Sequence, residues 1–299
     1  MILCVAANPS IDRLFTVERL VPGSIHRPAE FAQVPGGKGL NVARAATALG
    51  GDVVAAALLG GHAGRWIAEQ LDAEGVPLRA TWSDVETRSS LSVAGAIEGL
   101  TEFYEHGHPV TASEWAAFEE LVDSLLPGAS WTTLSGSLPV GAPADGYERL
   151  VSSGRVALDA VAAGIDAGPA IVKLNAAEAA HAAGVDTADA AGARAAAEEL
   201  HRRSGSAALV TRGVEGAVLV TPDGTPLEGR TPAAGPYTVG SGDAFLAGLV
   251  VALDGGAGWP DALRAALGAG AANAELPGAG RLDRSRAAEL AQQADVRPA

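Results

Sequence analysis

Short apolar runs alternate with helical stretches along most of this chain. Apolar runs at residues 1–7, 52–59, 131–134, 156–158, 170–174 and 207–211 predict buried strands. Between them, apolar positions recur at helical spacing, notably at residues 66–74, 113–126 and 187–203. Thr111 and Glu114 fit a capping box at the start of the second of these helices. Strands that alternate with helices favour a mostly parallel sheet covered by helices on both faces, so the pattern predicts the fold class α/β.

Two segments depart from that pattern. Residues 14–34 and 89–105 alternate apolar and polar positions without a helical period. We expect them to form exposed antiparallel strands that stand apart from the main sheet as a small lid. No break in composition separates them from the rest of the chain. We therefore expect one domain over residues 1–299, with lid strands contributed by residues 12–35 and 86–108.

The overall charge and the single cysteine indicate which partners and which cellular compartment to expect. The formal net charge is −14 and no run of lysine or arginine forms a basic stripe, so nucleic acids and membranes are not expected partners. Cys4 has no partner for an internal disulfide, which fits a reducing compartment, and we expect a cytoplasmic protein. The opening run lacks a basic start, and no apolar run reaches the ~18 residues of a membrane span.

The strongest chemical signal is the segment at residues 238–248. Its small residues lead directly into an apolar helical run that ends near Leu253. Amides at a helix N-terminus favour an anion, and Gly240 and Gly242 let the backbone approach a phosphate closely. Asp243 would then stand in the first helical turn, placed to accept a proton from a substrate hydroxyl as a phosphoryl group arrives. The alternative is that Asp243 only caps the helix.

A second glycine-rich segment, Pro-Gly-Gly-Lys-Gly-Leu-Asn at residues 35–41, precedes a helix that ends near Leu49. Its backbone can touch a ligand closely, with Lys38 and Asn41 as polar donors. It is not a Walker A loop, because neither Ser nor Thr follows Gly-Lys. No complete glycine fingerprint follows the first strand, which argues against a dinucleotide-dependent dehydrogenase. Taken alone, a tight turn with an exposed lysine explains this segment better than a ligand site does.

Together, the two glycine-rich segments resemble the two signatures of the PfkB family of carbohydrate kinases, in the ribokinase-like superfamily. Residues 8–12, 135–139 and 277–280 are similar to the branch of that family that contains 1-phosphofructokinase and tagatose-6-phosphate kinase. The resemblance covers essentially the whole chain. It implies a ribokinase-like three-layer α/β/α fold with a small β lid, and ATP-dependent phosphoryl transfer to a hydroxyl of a sugar phosphate.

The resemblance also implies roles for single residues on the substrate side. Asp243 would be the general base, beside an anion hole formed by Gly240, Ser241 and Gly242. Sugar hydroxyls would be bound by Asp12, Gly36, Gly37 and Asn41. Lys38 and Arg88 would hold the phosphate that the substrate already carries, since an arginine fork suits a phosphate. The alternative for Arg88 is a solvated lid residue.

The same resemblance implies where the nucleotide and Mg²⁺ bind. ATP would lie against Lys173, Thr211, Gly213, Gly216 and Asn273. Asn175 and Glu178 match the family's Asn-x-x-Glu segment and would position Mg²⁺ through water, because this ion keeps most of its waters. A helix that starts with an Asn cap and its Glu partner would give the same spacing. Leu174 stands where the family usually has proline, which leaves the path of this loop open.

Two other functions stay open at this stage. One is a kinase of an unphosphorylated sugar or nucleoside, for which Lys38 and Arg88 would be incidental. The other is a catalytically silent module that binds a sugar or a nucleotide. We also expect a homodimer joined through the lid, because the lid's outer face would otherwise leave Phe15, Val17 and Phe31 in water.

Overall fold

One large sheet with helices on both faces dominates the computed structural model, which describes residues 1–95, 97, 99–151, 154–160, 164–232 and 235–299. The strands are β1 (Ile2–Ala6), β2 (Ser10–Val17), β3 (Glu30–Gly36), β4 (Val53–Gly60), β5 (Leu78–Ser83), β6 (Ser89–Gly95), β7 (Gly99–Tyr104), β8 (Trp131–Ser135), β9 (Val156–Asp159), β10 (Ile171–Asn175), β11 (Ala207–Thr211), β12 (Ala217–Val220), β13 (Pro226–Arg230) and β14 (Asp295–Pro298). The helices are α1 (Lys38–Ala48), α2 (Gly61–Ala73), α3 (Ala112–Leu125), α4 (Gly146–Val151), α5 (Ala176–Ala183), α6 (Ala190–Ser204), α7 (Ser241–Asp254), α8 (Trp259–Ala274) and α9 (Arg284–Gln293).

The large sheet is mostly parallel. Across the described residues, ten strands pair in the order β14-β13-β12-β11-β10-β9-β8-β1-β4-β5. The seven from β11 to β5 run parallel, and β12, β13 and β14 continue the sheet antiparallel at one edge. Every apolar run that the sequence analysis assigned to a buried strand lies in this sheet. The predicted α/β class is confirmed.

Alternate residues of the central strands pack into two separate apolar cores. In β1, Ile2, Cys4 and Ala6 pack with residues of α1, α2, α7 and α8 on one face. Leu3 and Val5 pack with residues of α3, α4, α5 and α6 on the other face. All five side chains are buried, as expected for parallel strands that helices cover on both sides. These observations confirm the three-layer α/β/α arrangement that the resemblance implied.

The lid is a second sheet, with the strand order β3-β2-β6-β7, and both expected segments supply it. Positions 96 and 98 of the second segment lie outside the described residues. The antiparallel pairing that we expected holds for β2 with β3 and for β6 with β7, whereas the central pair, β2 and β6, runs parallel. Between β2 and β6 the chain passes through β3, α1, β4, α2 and β5. Neighbouring strands that run in the same direction need a long connection of this kind, because a hairpin joins only antiparallel strands.

Capping groups decide where the helices begin. The predicted capping box starts α3: the Glu114 amide donates to Thr111 Oγ1 (3.2 Å), and the Thr111 amide donates to the Glu114 carboxylate (2.7 Å). α2 starts at Gly61, earlier than predicted, because the carboxylate of the distant Glu86 accepts a hydrogen bond from the Ala63 amide. Within the described ranges, no helix is both long and apolar enough to span a membrane.

Five parallel strands, β1 and β8 to β11, have their carboxyl ends at the same edge of the large sheet. At or just beyond these ends stand the polar residues Asn8, Ser137, Asp159, Asn175 and Thr211. In open α/β sheets, ligands bind in the crevice outside the carboxyl ends of the strands. The fold therefore points to this edge, beneath the lid, as the place of a functional site.

Candidate active site

A cavity of about 1040 Å³ lies between these strand ends and the lid. Its wall carries most of the residues that the sequence analysis singled out, namely Asp12, Gly37, Lys38, Asn41, Arg88, Lys173, Asn175, Glu178, Thr211, Gly213, Gly216, Gly240, Ser241, Gly242 and Asp243. Gly36 and Asn273 are buried behind that wall. Segments from both ends of the chain thus converge on one cavity.

The glycine-rich start of α7 is a tight turn packed against the loop at residues 277–280. Gly240 has a φ of 80°, and a Cβ at this position would come within 2.5 Å of Ala279. Only glycine combines this left-handed backbone with so close a contact. The Ser241 amide donates to the Thr238 carbonyl (3.2 Å), whereas no described residue accepts from the amides of Gly242 and Asp243. These two amides are the donors that an anion would meet.

Asn273 supports this turn from inside the protein. Its side chain is fully buried, Nδ2 donates to the Val239 carbonyl (2.9 Å), and Oδ1 accepts from the Gly280 amide (2.8 Å). A side-chain amide that binds the main chain on both sides does not face a ligand. The expected contact of Asn273 with ATP is therefore corrected to a role in holding the turn.

Asp243 supplies a buried carboxyl group to the site. Asn41 Nδ2 donates to Asp243 Oδ2 (2.9 Å), which joins the two glycine-rich segments. Burial and the charge of Asp159 raise the pKa of Asp243 to about 7, against the opposing effect of nearby lysines and of the Asn41 hydrogen bond. The N-cap of α7 is Gly240, so Asp243 is not the capping residue that the alternative required. A carboxyl group that titrates near neutrality in a cavity suits general-base catalysis.

Asp159, at the end of β9, is a candidate that the sequence analysis missed. It is fully buried, and its carboxylate accepts hydrogen bonds from Lys173 Nζ (2.6 Å) and Lys38 Nζ (3.2 Å). Burial raises the pKa of Asp159, but the two ammonium groups outweigh burial and lower it below its usual value. Asp159 is therefore ionised. The only signal in the sequence was a polar residue directly after a short buried strand.

Lys38 belongs to this charged cluster. Its Nζ also pairs with Glu178 Oε1 (3.0 Å). Burial lowers the pKa of Lys38, but the charges of Asp159, Glu178 and Asp243 outweigh burial and raise it above its usual value. Lys38 and Arg88, which we expected to hold one phosphate together, have no hydrogen-bond partner in common within the described residues.

Asp12 is held by hydrogen bonds at the lid end of the cavity. It accepts hydrogen bonds from Ser10 Oγ (2.5 Å), Ser90 Oγ (2.6 Å) and the Gly37 amide (3.3 Å). A Cβ at Gly36 would overlap the Asp12 carboxyl group, so glycine is required there. The two serines, which the sequence analysis did not select, fix the orientation of this carboxylate toward the cavity.

Arg88 lies beside Asp12 at the same end. Its Nε donates to Asn8 Oδ1 (2.9 Å), and its Nη2 donates to the Asn8 carbonyl (3.2 Å). Burial lowers the pKa of Arg88, and the charges of Asp12, Tyr104 and Glu105 oppose this shift. Within the described ranges, no carboxylate forms an ion pair with Arg88. An arginine stays charged in proteins, so this guanidinium can pair with an anionic ligand.

The other end of the cavity carries the residues expected to bind ATP and Mg²⁺. Thr211, Gly213 and Gly216 line it there, and Lys173 Nζ lies near Gly242 as well as on Asp159. Asn175 and Glu178 form the reciprocal cap of α5, as the structural alternative predicted. The described residues contain no group of three or more His, Cys, Asp or Glu that could hold a metal ion.

Comparison with known proteins agrees with this geometry. The model of the pfkB family carbohydrate kinases matches residues 1–285. The chain is similar to a 1-phosphofructokinase from Haloferax volcanii, at 35% identity over 271 residues that cover 88% of both proteins. It is also similar to phosphofructokinase-2 from Escherichia coli in complex with substrates and products, with a TM-score of 0.88, 25% identity and coverage of 97% and 98% of the two chains. A possible 1-phosphofructokinase from Thermotoga maritima shares the fold, with a TM-score of 0.89, 22% identity and coverage of 100% and 99%.

The family match spans nearly the whole chain and includes both glycine-rich segments, the lid and the strand ends that form the cavity. It confirms the family resemblance that the order and spacing of the motifs indicated. The chain belongs to the pfkB family of carbohydrate kinases.

Proposed function

We propose that this chain transfers the γ-phosphoryl group of ATP to a hydroxyl group of a sugar phosphate, with Asp243 as the general base. One observation carries the proposal. A buried carboxyl group whose pKa is raised to about 7 stands in the same helical turn as amides that have no acceptor among the described residues. A general base that takes the hydroxyl proton and an anion hole that stabilises the transferring group both serve phosphoryl transfer to a hydroxyl.

In this reaction one proton and one phosphoryl group move. The acceptor oxygen forms a bond to the γ-phosphorus while its proton passes to the Asp243 carboxylate. The bond between the γ-phosphorus and the bridging oxygen breaks, and ADP leaves with the electron pair. The amides of Gly242 and Asp243 stabilise the charge on the transferring group, and Asn41 keeps the carboxylate in place. Asp12 binds a second sugar hydroxyl and thereby orients the acceptor.

Asn175 and Glu178 fit a Mg²⁺ ion that is bound through water. Both line the cavity, but their side chains are already engaged in the start of α5, and Glu178 also pairs with Lys38. Such partly satisfied oxygen atoms suit an ion that keeps several waters and takes its other ligands from phosphates. Mg²⁺ would neutralise charge on the nucleotide phosphates.

A phosphorylated substrate is supported by Arg88 and by the Haloferax volcanii 1-phosphofructokinase relative. Arg88 is the candidate for the phosphate that the substrate already carries. Lys38 and Lys173 lie beside Asp243 instead, where they would contact the phosphoryl group in transfer. This assignment gives the two ends of the cavity separate cations.

An unphosphorylated sugar is the second candidate substrate, and one observation favours it. Glu102 and Glu105 line the cavity near Arg88, with Glu102 accepting a hydrogen bond from the Tyr104 hydroxyl (2.6 Å). Two carboxylates at this end would repel a phosphate and would bind hydroxyl groups well.

A substrate panel with coupled detection of ADP tests the proposal. It compares fructose 1-phosphate, fructose 6-phosphate, tagatose 6-phosphate, free hexoses and nucleosides at fixed ATP and Mg²⁺. We expect the highest kcat/KM with one of the sugar phosphates. A free hexose or a nucleoside as the best substrate would overturn the phosphorylated-substrate assignment, and no turnover with any of them would overturn the kinase proposal.

The outer face of the lid supports a homodimer. The strand register places Phe31, Phe15 and Val93 in one row across β3, β2 and β6, with Phe103 on the same face of β7. Phe31 and Phe103 are 60% and 57% exposed, whereas Val17 is buried and needs no partner. We propose that a second copy covers these aromatic side chains.

A cytoplasmic location stays a prediction. It is supported by the use of one cysteine in the whole chain. Burial raises the pKa of the Cys4 thiol to about 12, so this group is neither a disulfide partner nor a reactive thiolate.

A further inference from the structure

Arg44 is a buried cation that the proposed reaction does not use. It lies on α1, one helical turn after Asn41, and does not line the cavity. A buried charge is costly unless it is paired and hydrogen-bonded. The contacts that satisfy Arg44 therefore indicate why a charged residue stands in this place.

The Arg44 guanidinium joins three separate segments. Nε and Nη2 donate to the two oxygens of Glu74 (2.5 and 2.8 Å), at the end of α2. Nη1 donates to the carbonyl of Pro35 (3.2 Å) and to the carbonyl of Ala279 (2.5 Å). The planar fork of arginine can make these four hydrogen bonds at once, and a lysine ammonium cannot.

The carbonyl groups of Pro35 and Ala279 both belong to loops that shape the proposed active site. Pro35 directly precedes Gly36 and Gly37, the glycines that pack on and donate to Asp12. Ala279 lies against Gly240, so closely that a Cβ on Gly240 would contact it. One side chain thus binds two loops. The first is the sugar-binding loop at residues 35–37, and the second is the loop at residues 277–280, which supports the anion-binding turn at residues 240–243.

The position of Glu74 supports a specific role for this pair. Glu74 is the C-cap residue of α2, where the negative end of the helix dipole disfavours a carboxylate. Its side chain is 38% exposed, so water could satisfy it without Arg44. Glu74 therefore does not stabilise α2 at this position. It stands there because the buried Arg44 guanidinium needs a negatively charged partner.

We infer that Arg44 is a positioning residue that fixes the distance between the sugar-binding loop and the anion-binding turn, an inference that rests on the proposed function. The loops keep their own contacts with sugar and nucleotide when this link is weakened, so binding of each substrate changes little. The separation of the acceptor hydroxyl from the γ-phosphorus changes instead. A misplacement of about 1 Å costs on the order of 10²-fold in rate.

The test compares Arg44→Lys with Arg203→Lys. Arg203 has matched chemistry far from the cavity: it donates to both oxygens of Asp166 (2.9 and 2.8 Å) and to the Ala182 carbonyl (2.6 Å). Both variants keep the charge and lose the fork. We expect Arg44→Lys to lower kcat by about 10- to 100-fold while KM for either substrate changes by less than about threefold. Arg203→Lys should keep the wild-type kcat.

Thermal unfolding of both variants separates positioning from stability. All assays are run at least about 15 °C below the lower of the two Tm values, so that both variants are folded under the assay conditions. A wild-type kcat in Arg44→Lys, or an equal loss of kcat in Arg203→Lys, would overturn the inference.

Glu74→Gln provides a second variant in case Arg44→Lys does not fold. It keeps the shape of the side chain and removes the counter-charge, so we expect a smaller fall in kcat, about 3- to 10-fold, again at nearly constant KM. An unchanged kcat in Glu74→Gln would overturn the role of the pair. The wild-type panel is measured first, so failure of the proposed function is recognised before any variant is assayed.

Discussion

Burial beside Asp159 decides the pH range in which Asp243 can act as a base. An aspartate in an unfolded chain titrates near 3.9. In the folded protein the pKa of Asp243 is raised to about 7. Only the ionised form accepts a proton, so we expect kcat/KM to fall about tenfold for each pH unit below about 7. A pH–rate profile that stays flat between about pH 5 and 8 would contradict this role.

The variant Asp243→Asn isolates the same group. The amide keeps the shape but cannot take the proton, so kcat should fall by about 10²- to 10⁴-fold with nearly unchanged ATP binding. The raised pKa also means that the ionised carboxylate destabilises the fold, and that wild-type stability falls as the pH rises from about 4 and is fully reduced once the pH has passed about 7. Asp243→Asn should therefore have the higher Tm at pH 8, and an equal or lower Tm would contradict the buried charge.

Arg88 is the residue that distinguishes a phosphorylated from an unphosphorylated substrate. Removing its charge in Arg88→Ala should raise KM for a sugar phosphate by about 10- to 100-fold, because a charge-assisted contact is lost. KM for ATP should stay close to the wild-type value, since Arg88 is bound to Asn8 at the other end of the cavity. Steady-state kinetics with each substrate varied in turn measure both constants, and an unchanged KM for the best sugar phosphate would favour the unphosphorylated substrate.

Among the elements, the start of α7 tolerates the fewest residue types, because position 240 requires glycine. Gly240→Ala would place a methyl group against Ala279 in a left-handed backbone, and Gly205→Ala would meet the same backbone with open space around it. We expect Gly205→Ala to cost about 1–2 kcal/mol and to leave kcat unchanged. Gly240→Ala should cost about 1–3 kcal/mol more and lower kcat by about 10²-fold, since the anion-binding amides move. Denaturant unfolding and kcat, measured on both variants, check this, and equal effects would show that the contact with Ala279 is unimportant.

Many elements could be predicted from the sequence because their signals are local. The features that could not be predicted depend on contacts between residues far apart in the chain. The capping box of α3 is contained within four consecutive positions and is confirmed. Ser90, in contrast, reaches Asp12 only because β2 and β6 pair in parallel with these two residues opposite each other. A crossover fixes that register, and no local pattern reveals it. Asp159 was missed for the same reason, since its partner lysines come from α1 and β10.

At the scale of the whole molecule, the two faces of the lid differ: one lines the cavity with polar side chains, and the other carries exposed aromatic side chains. The inner face carries Asp12, Ser90 and Tyr104 toward the cavity, and the register places the aromatic residues of β3 and β2 on the outer face. Phe15 and Phe31 already pack together, with ring centroids 5.5 Å apart, yet Phe31 stays mostly exposed. One face of this four-stranded sheet is turned to the cavity, so the lid has no second layer of its own that could cover the aromatic side chains on its outer face.

We therefore expect light scattering at micromolar concentration to give twice the chain mass of 29.9 kDa. The variant Phe31→Asp/Phe103→Asp places two charges on the outer face and should give the monomer mass, because buried carboxylates without partners are strongly unfavourable. Trp82→Asp is the matched control: Trp82 is 50% exposed but lies on β5, at the edge of the large sheet. It should leave the dimer intact. A wild-type monomer with full activity, or a dimer that survives both substitutions on the lid, would contradict assembly through this face.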